Sequence, residues 1–152
     1  MNSADRRLVY AATKSAGIFR TGDGGANWRD MSERYRTFPG SMEFSDLAVG
    51  VAQPQVLVFA SRFGLLRSLD GGESWQAIPL LTPPGTTQIY SLALDQRDTN
   101  VLYYGTSTTF YRSTNGGTDW VTKRLPSSRT ATVLLVDRAN TQNLYMGVTR
   151  FR

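Results

Sequence analysis

Thr21-Gly22-Asp23-Gly24-Gly25-Ala26-Asn27-Trp28 returns as Ser68-Leu69-Asp70-Gly71-Gly72-Glu73-Ser74-Trp75, and once more as Ser113-Thr114-Asn115-Gly116-Gly117-Thr118-Asp119-Trp120. The closing tryptophans stand 47 and 45 residues apart. Each stretch reads as a tight turn between two strands. Paired glycines supply positive φ without a Cβ clash. The Asp carboxylate and the Ser or Thr hydroxyl can accept backbone N–H groups across the turn. The tryptophan is then expected to cover the hairpin with a large apolar face. The third copy has Asn115 where the others have Asp23 and Asp70. Its amide oxygen still accepts, without the charge. On this reading Asp23, Asp70, Glu73 and Asp119 are turn acids with no metal or catalytic role.

Working outward, each turn follows a short apolar run: Gly17-Ile18-Phe19-Arg20, Gly64-Leu65-Leu66-Arg67 and Thr109-Phe110-Tyr111-Arg112. Before these stand Leu8-Val9-Tyr10-Ala11-Ala12-Thr13, Val56-Leu57-Val58-Phe59-Ala60-Ser61 and Val101-Leu102-Tyr103-Tyr104-Gly105-Thr106, with a fourth copy at Asn143-Leu144-Tyr145-Met146-Gly147-Val148. A further run begins three periods: Phe44 to Val49, Ile89 to Leu94 and Ala131 to Val136. Runs of this length, rich in Val, Leu, Tyr and Phe and bounded by Gly, Pro, Asn and Asp, are strands. No segment sustains the i, i+3, i+4 apolar spacing of a helix. The chain is therefore all-β, and a four-strand period of this length is that of a β-propeller blade.

The strand groups 8–31, 44–80, 89–125 and 131–149 hold three, four, four and two strands, 13 in all. Residues 1–152 thus read as a single partial propeller of four-stranded antiparallel blades, about three and a quarter of them against the four to eight that close a ring. Such a chain is expected to be the remainder-bearing part of a longer product or one of several copies that complete each other. An open sheet edge is a liability that proteins avoid.

Composition narrows the chemistry. The 152 residues contain no cysteine and no histidine. Disulfides, thiolate or imidazole metal sites, cysteine nucleophiles and the commonest general base are excluded together, which leaves carboxylates, tyrosines and hydroxyls. No apolar run reaches the ~20 residues of a membrane helix. The start of the chain has no signal-peptide core. No glycine-rich phosphate loop lies between a strand and a helix. Neither a cofactor nor a metal is called for.

The three turns resemble the Asp-box (BNR) repeat, Ser/Thr-x-Asp-x-Gly-x-x-Trp, of the sialidase and sortilin-like propellers. The resemblance covers essentially the whole chain and implies that Asp23, Trp28, Asp70, Trp75, Asn115 and Trp120 stabilise hairpins. Sialidases of that superfamily also carry an Arg-Ile-Pro segment, which this chain lacks before its first turn. Propeller glycosidases of the xyloglucanase type use two distant aspartates as acid and base. Asp46, on an inner strand, is the weak catalytic candidate for that alternative. The strands are also similar, less closely, to the photosystem II assembly factors, which are non-enzymatic binding platforms with an arginine-rich patch. The resemblance allows a periplasmic, lumenal or extracellular setting and leaves the compartment open.

Charge points the same way as the second resemblance. Of 17 Lys and Arg residues 15 are arginine, and with 12 acids the formal net charge is +5. Sorted by blade end, Lys14, Arg34, Arg36, Arg62, Lys123, Arg124, Arg129, Arg150 and Arg152 fall on one face with Glu33 and Glu43. Most acids, including Glu73, Asp95 and Asp98, fall on the other. Tyr35, Phe38 and Phe63 are interleaved with the arginines. Loops on a rigid scaffold are where binding usually lives, and guanidinium groups beside aromatics suit carboxylates or phosphates. The expected partner-binding set is Arg34, Tyr35, Arg36, Arg62, Phe63, Arg124 and Arg129. The expected partner is a protein or an anionic polymer, carbohydrate included, and nucleic acid is not indicated. The reading is a non-enzymatic binding or assembly module, with a fragment of a propeller glycoside hydrolase as the alternative.

Overall fold

A computed structural model describes residues 7–14 and 16–149. Four antiparallel sheets follow one another along the chain. The first holds β1 (Val9–Thr13), β2 (Gly17–Thr21) and β3 (Arg29–Asp30). The second holds β4 (Phe44–Val49), β5 (Leu57–Ser61), β6 (Gly64–Ser68) and β7 (Gln76–Ile78). The third holds β8 (Ser91–Leu94), β9 (Leu102–Gly105), β10 (Thr109–Ser113) and β11 (Val121–Arg124). The fourth is the pair β12 (Thr130–Val136) and β13 (Leu144–Thr149). Within every sheet the strands pair in chain order, so each sheet is a simple meander. The predicted three, four, four and two strands are all present. One short 3-10 turn, Ser32–Arg34, adds a helical element to the connection after β3.

Alternation along the strands explains how the sheets stack. In β5, Leu57 and Phe59 pack with Ile18 against the first sheet, while Val58 and Ala60 pack with Leu92, Leu94 and Tyr104 of the third. All five residues of β5 are completely buried. Successive side chains of a strand point to opposite faces. A strand between two neighbours is therefore apolar without interruption. Each such side chain contributes ~1.5–3 kcal/mol by leaving water. Between the third and fourth sheets the same rule pairs Ala93 and Tyr103 with Leu134 and Val136. Three apolar seams thus hold the sheets face to face.

The repeated turns form as the residues dictate. Both glycines of each pair have positive φ: Gly24 79° and Gly25 103°, Gly71 74° and Gly72 95°, Gly116 73° and Gly117 94°. The Thr21 hydroxyl accepts the N–H groups of Asp23 (3.2 Å) and Gly25 (3.1 Å) and donates to the Asp23 carboxylate (2.7 Å). Ser68 and Ser113 repeat this set around Asp70 and Asn115. The carboxylate or amide oxygen then takes the N–H four residues on, at Asn27, Ser74 and Asp119.

The three tryptophans differ in how far they are buried. Trp75 is buried and Trp120 half-buried, but Trp28 is 45% exposed. Each ring lies over its own turn, beside Gly25, Gly72 and Gly117, and Trp75 donates to the Gly72 carbonyl at 3.1 Å; what differs is how much else covers it. Trp75 packs edge-on against Tyr35 and Phe59 at 5.7 and 4.9 Å. Trp120 donates to the Pro79 carbonyl at 2.8 Å. Among the described residues no sheet precedes the first one to cover Trp28.

Candidate partner-binding surface

Arginine converges on one carboxylate at the seam between the first two sheets. Glu73, in the second turn, takes both oxygens' worth of contact from Arg29, at 2.8 and 3.3 Å. Arg34 lies 3.2 Å and Arg20 3.7 Å from the same carboxylate. Three guanidinium groups therefore share a single negative charge, and all remain partly open to solvent. Asp23 lines a shallow hollow with Arg20 and Arg29, and the Arg20 Nε is buried without a hydrogen-bond partner among the described residues. Such an array can accept a further carboxylate or phosphate.

This cluster also corrects the sorting of charges by face. The sequence puts Arg34 and Glu73 at opposite ends of the blades, yet they form an ion pair. The reason is the length of β3, which is only two residues. The chain leaves the sheet at once and its 3-10 turn lies beside the next sheet's glycine-pair turn. Arg29 and Glu73 were legible in another way. Their counterparts are Gln76 and Val121 for the arginine, and Ala26 and Thr118 for the acid. Each departs from the repeat, and departures from a structural repeat are where a single site can arise.

The expected partner-binding residues separate into groups. Tyr35 is withdrawn from the set: it is 1% exposed, its hydroxyl takes the Ile18 N–H at 2.9 Å, and its ring packs on Phe59 at 4.7 Å. It is a core residue because the Ser32–Glu43 connection folds back over the seam. Arg36 pairs with Glu33 at 2.8 Å and Arg62 with Glu43 at 3.2 Å. Both pairs are exposed, where ion pairs contribute little. Phe63 packs edge-on against Phe38 at 5.1 Å and lines an apolar groove with Leu80, Leu81 and Pro83. Arg124 and Arg129 are exposed and carry no ion pair among the described residues. Arg150 and Arg152 lie outside the described residues.

Asp46 sits where β4 shifts register against β5. One carboxylate oxygen takes the Leu47 N–H and the other the Leu92 N–H, both at 2.8 Å. Burial pushes this carboxyl above its usual range, while the two N–H bonds pull it back. The bond to Leu92 ties β4 to β8, inner strand to inner strand. Ser91, at the matching position of β8, donates to the Ala131 carbonyl at 2.9 Å and ties β8 to β12. A hollow of about 350 Å³ near the starts of these strands is lined by Lys14, Ser45, Gln88, Tyr90 and Thr132. No carboxylate is among its lining residues.

Stacked four-stranded meanders of this kind make the chain a partial β-propeller. Its solved structural neighbours are propeller proteins. It is similar to an ancestral GH74 enzyme, with a TM-score of 0.73 and 18% identity over 97% of this chain and 21% of that one. It is similar to YCF48 from Cyanidioschyzon merolae, with a TM-score of 0.60 and 23% identity over 80% of this chain and 34% of that one. A structure of YCF48 bound to D1 peptide gives 0.63 and 20% identity over 86% and 41%. The chain spans well under half the length of these neighbours, and likeness at such identities speaks for the fold. Neither a family model nor a curated protein matches the chain.

Proposed function

We propose that this chain is part of an Asp-box repeat propeller and serves as a non-enzymatic binding or assembly module for an anionic protein segment. The observation that carries the reading is the sharing of Glu73 by Arg20, Arg29 and Arg34. Three guanidinium groups gathered on one carboxylate leave room for a second anion, and planar guanidinium forks suit peptide carboxylates. The D1 peptide held by the structurally similar YCF48 supports a protein partner. A synthetic oligoglutamate peptide is a direct probe. The double change Arg29→Ser, Arg34→Ser should weaken its binding about tenfold and flatten the salt dependence, because exposed charges are screened within ~8–10 Å at ordinary ionic strength. An equal loss from Arg97→Ser, Arg138→Ser would overturn the reading.

The alternative, a fragment of a propeller glycoside hydrolase, draws on the likeness to the GH74 enzyme and on the raised carboxyl of Asp46. A general acid needs such a shift. Both oxygens of Asp46 are, however, occupied by backbone N–H groups. That occupancy favours the binding module.

A further inference from the structure

The outer strands of the first three sheets differ in what they offer to solvent. β3 is Arg29-Asp30, and β11 ends on Lys123 and Arg124. Charge on an edge strand discourages pairing with another chain. β7, Gln76-Ala77-Ile78, is the edge of the second sheet and carries no charge. The pairings Leu66↔Ala77 and Tyr111↔Thr122 put β7 and β11 in one register. Ala77, Pro79 and Leu81 then stand where the third repeat has Thr122, Arg124 and Pro126. The second sheet alone is apolar along this outer face.

That face lies open. Ala77 and Pro79 are exposed, and Leu81 is 60% exposed. With Phe63, Leu80 and Pro83 they line a groove of about 440 Å³ that has no charged residue in its wall. The shortness of β3 is the cause. The chain turns inward after two residues, so the connection that follows covers Trp75 through Tyr35 and leaves the upper end of β7 bare. Phe38, from the same connection, closes one side by packing on Phe63. The lower end of the edge meets the arginine cluster. Glu73, held by Arg20, Arg29 and Arg34, comes three residues before β7.

We infer that the acidic partner segment lies extended along the outer edge of β7, a large apolar side chain in the Phe63–Leu81 groove and an acidic one on Arg29 and Arg34. This rests on the reading of the arginine cluster as an anion site and adds the rest of the partner's chemistry. One extended peptide is the occupant because the groove and the cations adjoin a single uncharged edge. In a strand added to a sheet edge, main-chain hydrogen bonds supply affinity and pockets for alternate side chains supply specificity. Alternate side chains share a face. The acid and the apolar residue therefore stand an even number of positions apart, and two to four positions span ~7–14 Å. Pro79 has no N–H to donate, and its carbonyl is taken by the Trp120 indole. Pairing thus stops at Ile78, and the apolar side chain anchors that end.

Labelled peptides built on Glu-Ser-Glu-Ser-Glu test this by fluorescence anisotropy with the full chain. One has no leucine, and the others carry a leucine two, three or four serine-filled positions beyond the last glutamate. Leucine at two or four should tighten binding about tenfold. Leucine at three points to the opposite face and should add nothing. The double change Leu81→Ser, Pro83→Ser, at two exposed positions, should abolish the gain and leave the leucine-free peptide unaffected. Val121→Ser, an exposed change on β11, should alter neither. No gain from leucine, an equal gain at three, or a gain that survives the double change overturns the inference while the anion site stands. A leucine-free peptide that binds no better than oligoserine overturns the anion site itself, and this inference with it.

Discussion

The first and second glycine-pair turns are chemically alike and energetically different. Asp23 accepts the Asn27 N–H at 3.0 Å and Asp70 the Ser74 N–H at 2.9 Å. Their threonine and serine hydroxyls make matching bonds. Yet Trp75 is 7% exposed and Trp28 45%. Eight residues are enough to close the turn, because every donor and acceptor involved is local. Burial of the closing ring needs a cover on its other side, which for Trp75 is Tyr35 of the connection after β3. The motif therefore encodes a hairpin, and the neighbour supplies most of its stabilisation.

The largest test of this difference is a pair of truncations. Trp75→Ala should cost ~3–5 kcal/mol, the usual range for emptying a packed aromatic site. Trp28→Ala should cost under ~1 kcal/mol in the dilute chain, as an exposed substitution does. Denaturant titration of both compares them, and equal losses would mean that the turn itself, not the seam, holds the ring.

The third turn sharpens the comparison at a smaller scale. There the roles are reversed: the Asn115 amide donates to the Asp119 carboxylate at 2.7 Å, where Asn27 donates to Asp23 at 2.8 Å. Asn115→Asp would set two carboxylates at that contact and should cost on the order of 1 kcal/mol, like-charge repulsion near a surface being of this size. Adding Asp119→Asn restores the arrangement of the first turn and should recover most of the loss. Thermal melts of the single and double variants read the difference, and a harmless single change would refute the reversal.

The smallest effect expected is on pH dependence. The Ser74 side chain, with the Ser74 N–H and the Ser68 hydroxyl, holds the Asp70 carboxyl down to about 2. A carboxyl lowered in the folded state adds stability that is present above its ordinary value of ~3.9 and is lost as pH falls toward its folded value. Asp46 runs the other way: raised chiefly by burial, it favours the folded chain in acid and loses that advantage as pH rises through the carboxylate range. Melting of Asp70→Ala and the parent chain should therefore converge near pH 2 and separate by pH 5. A constant gap across that range would detach Asp70 from the acid response.

Strand number and turn chemistry were legible in residues 8–149 because both are local and repeated three times. The four runs from Leu8 to Val148 carry the alternation that a two-faced strand requires. The candidate site was legible only in part. Arg34 lies in the arginine cluster, Arg29 and Glu73 enter as breaks in the repeat, and Tyr35 is a core residue. An aromatic residue between Arg34 and Arg36 reads as a surface group until the connection after β3 is seen to fold over Phe59 and Trp75.

The amino-acid order by itself determined the meander, the positive-φ turns and the absence of thiol and imidazole chemistry, since each depends on residues within a few positions of one another. Tertiary structure alone decided which side chains meet across a seam: Glu73 with three arginines, Asp46 with Leu92, Trp75 with Tyr35. Those encounters join residues far apart in the chain, and the angle at which one sheet stacks on the next selects them. No local pattern records that angle.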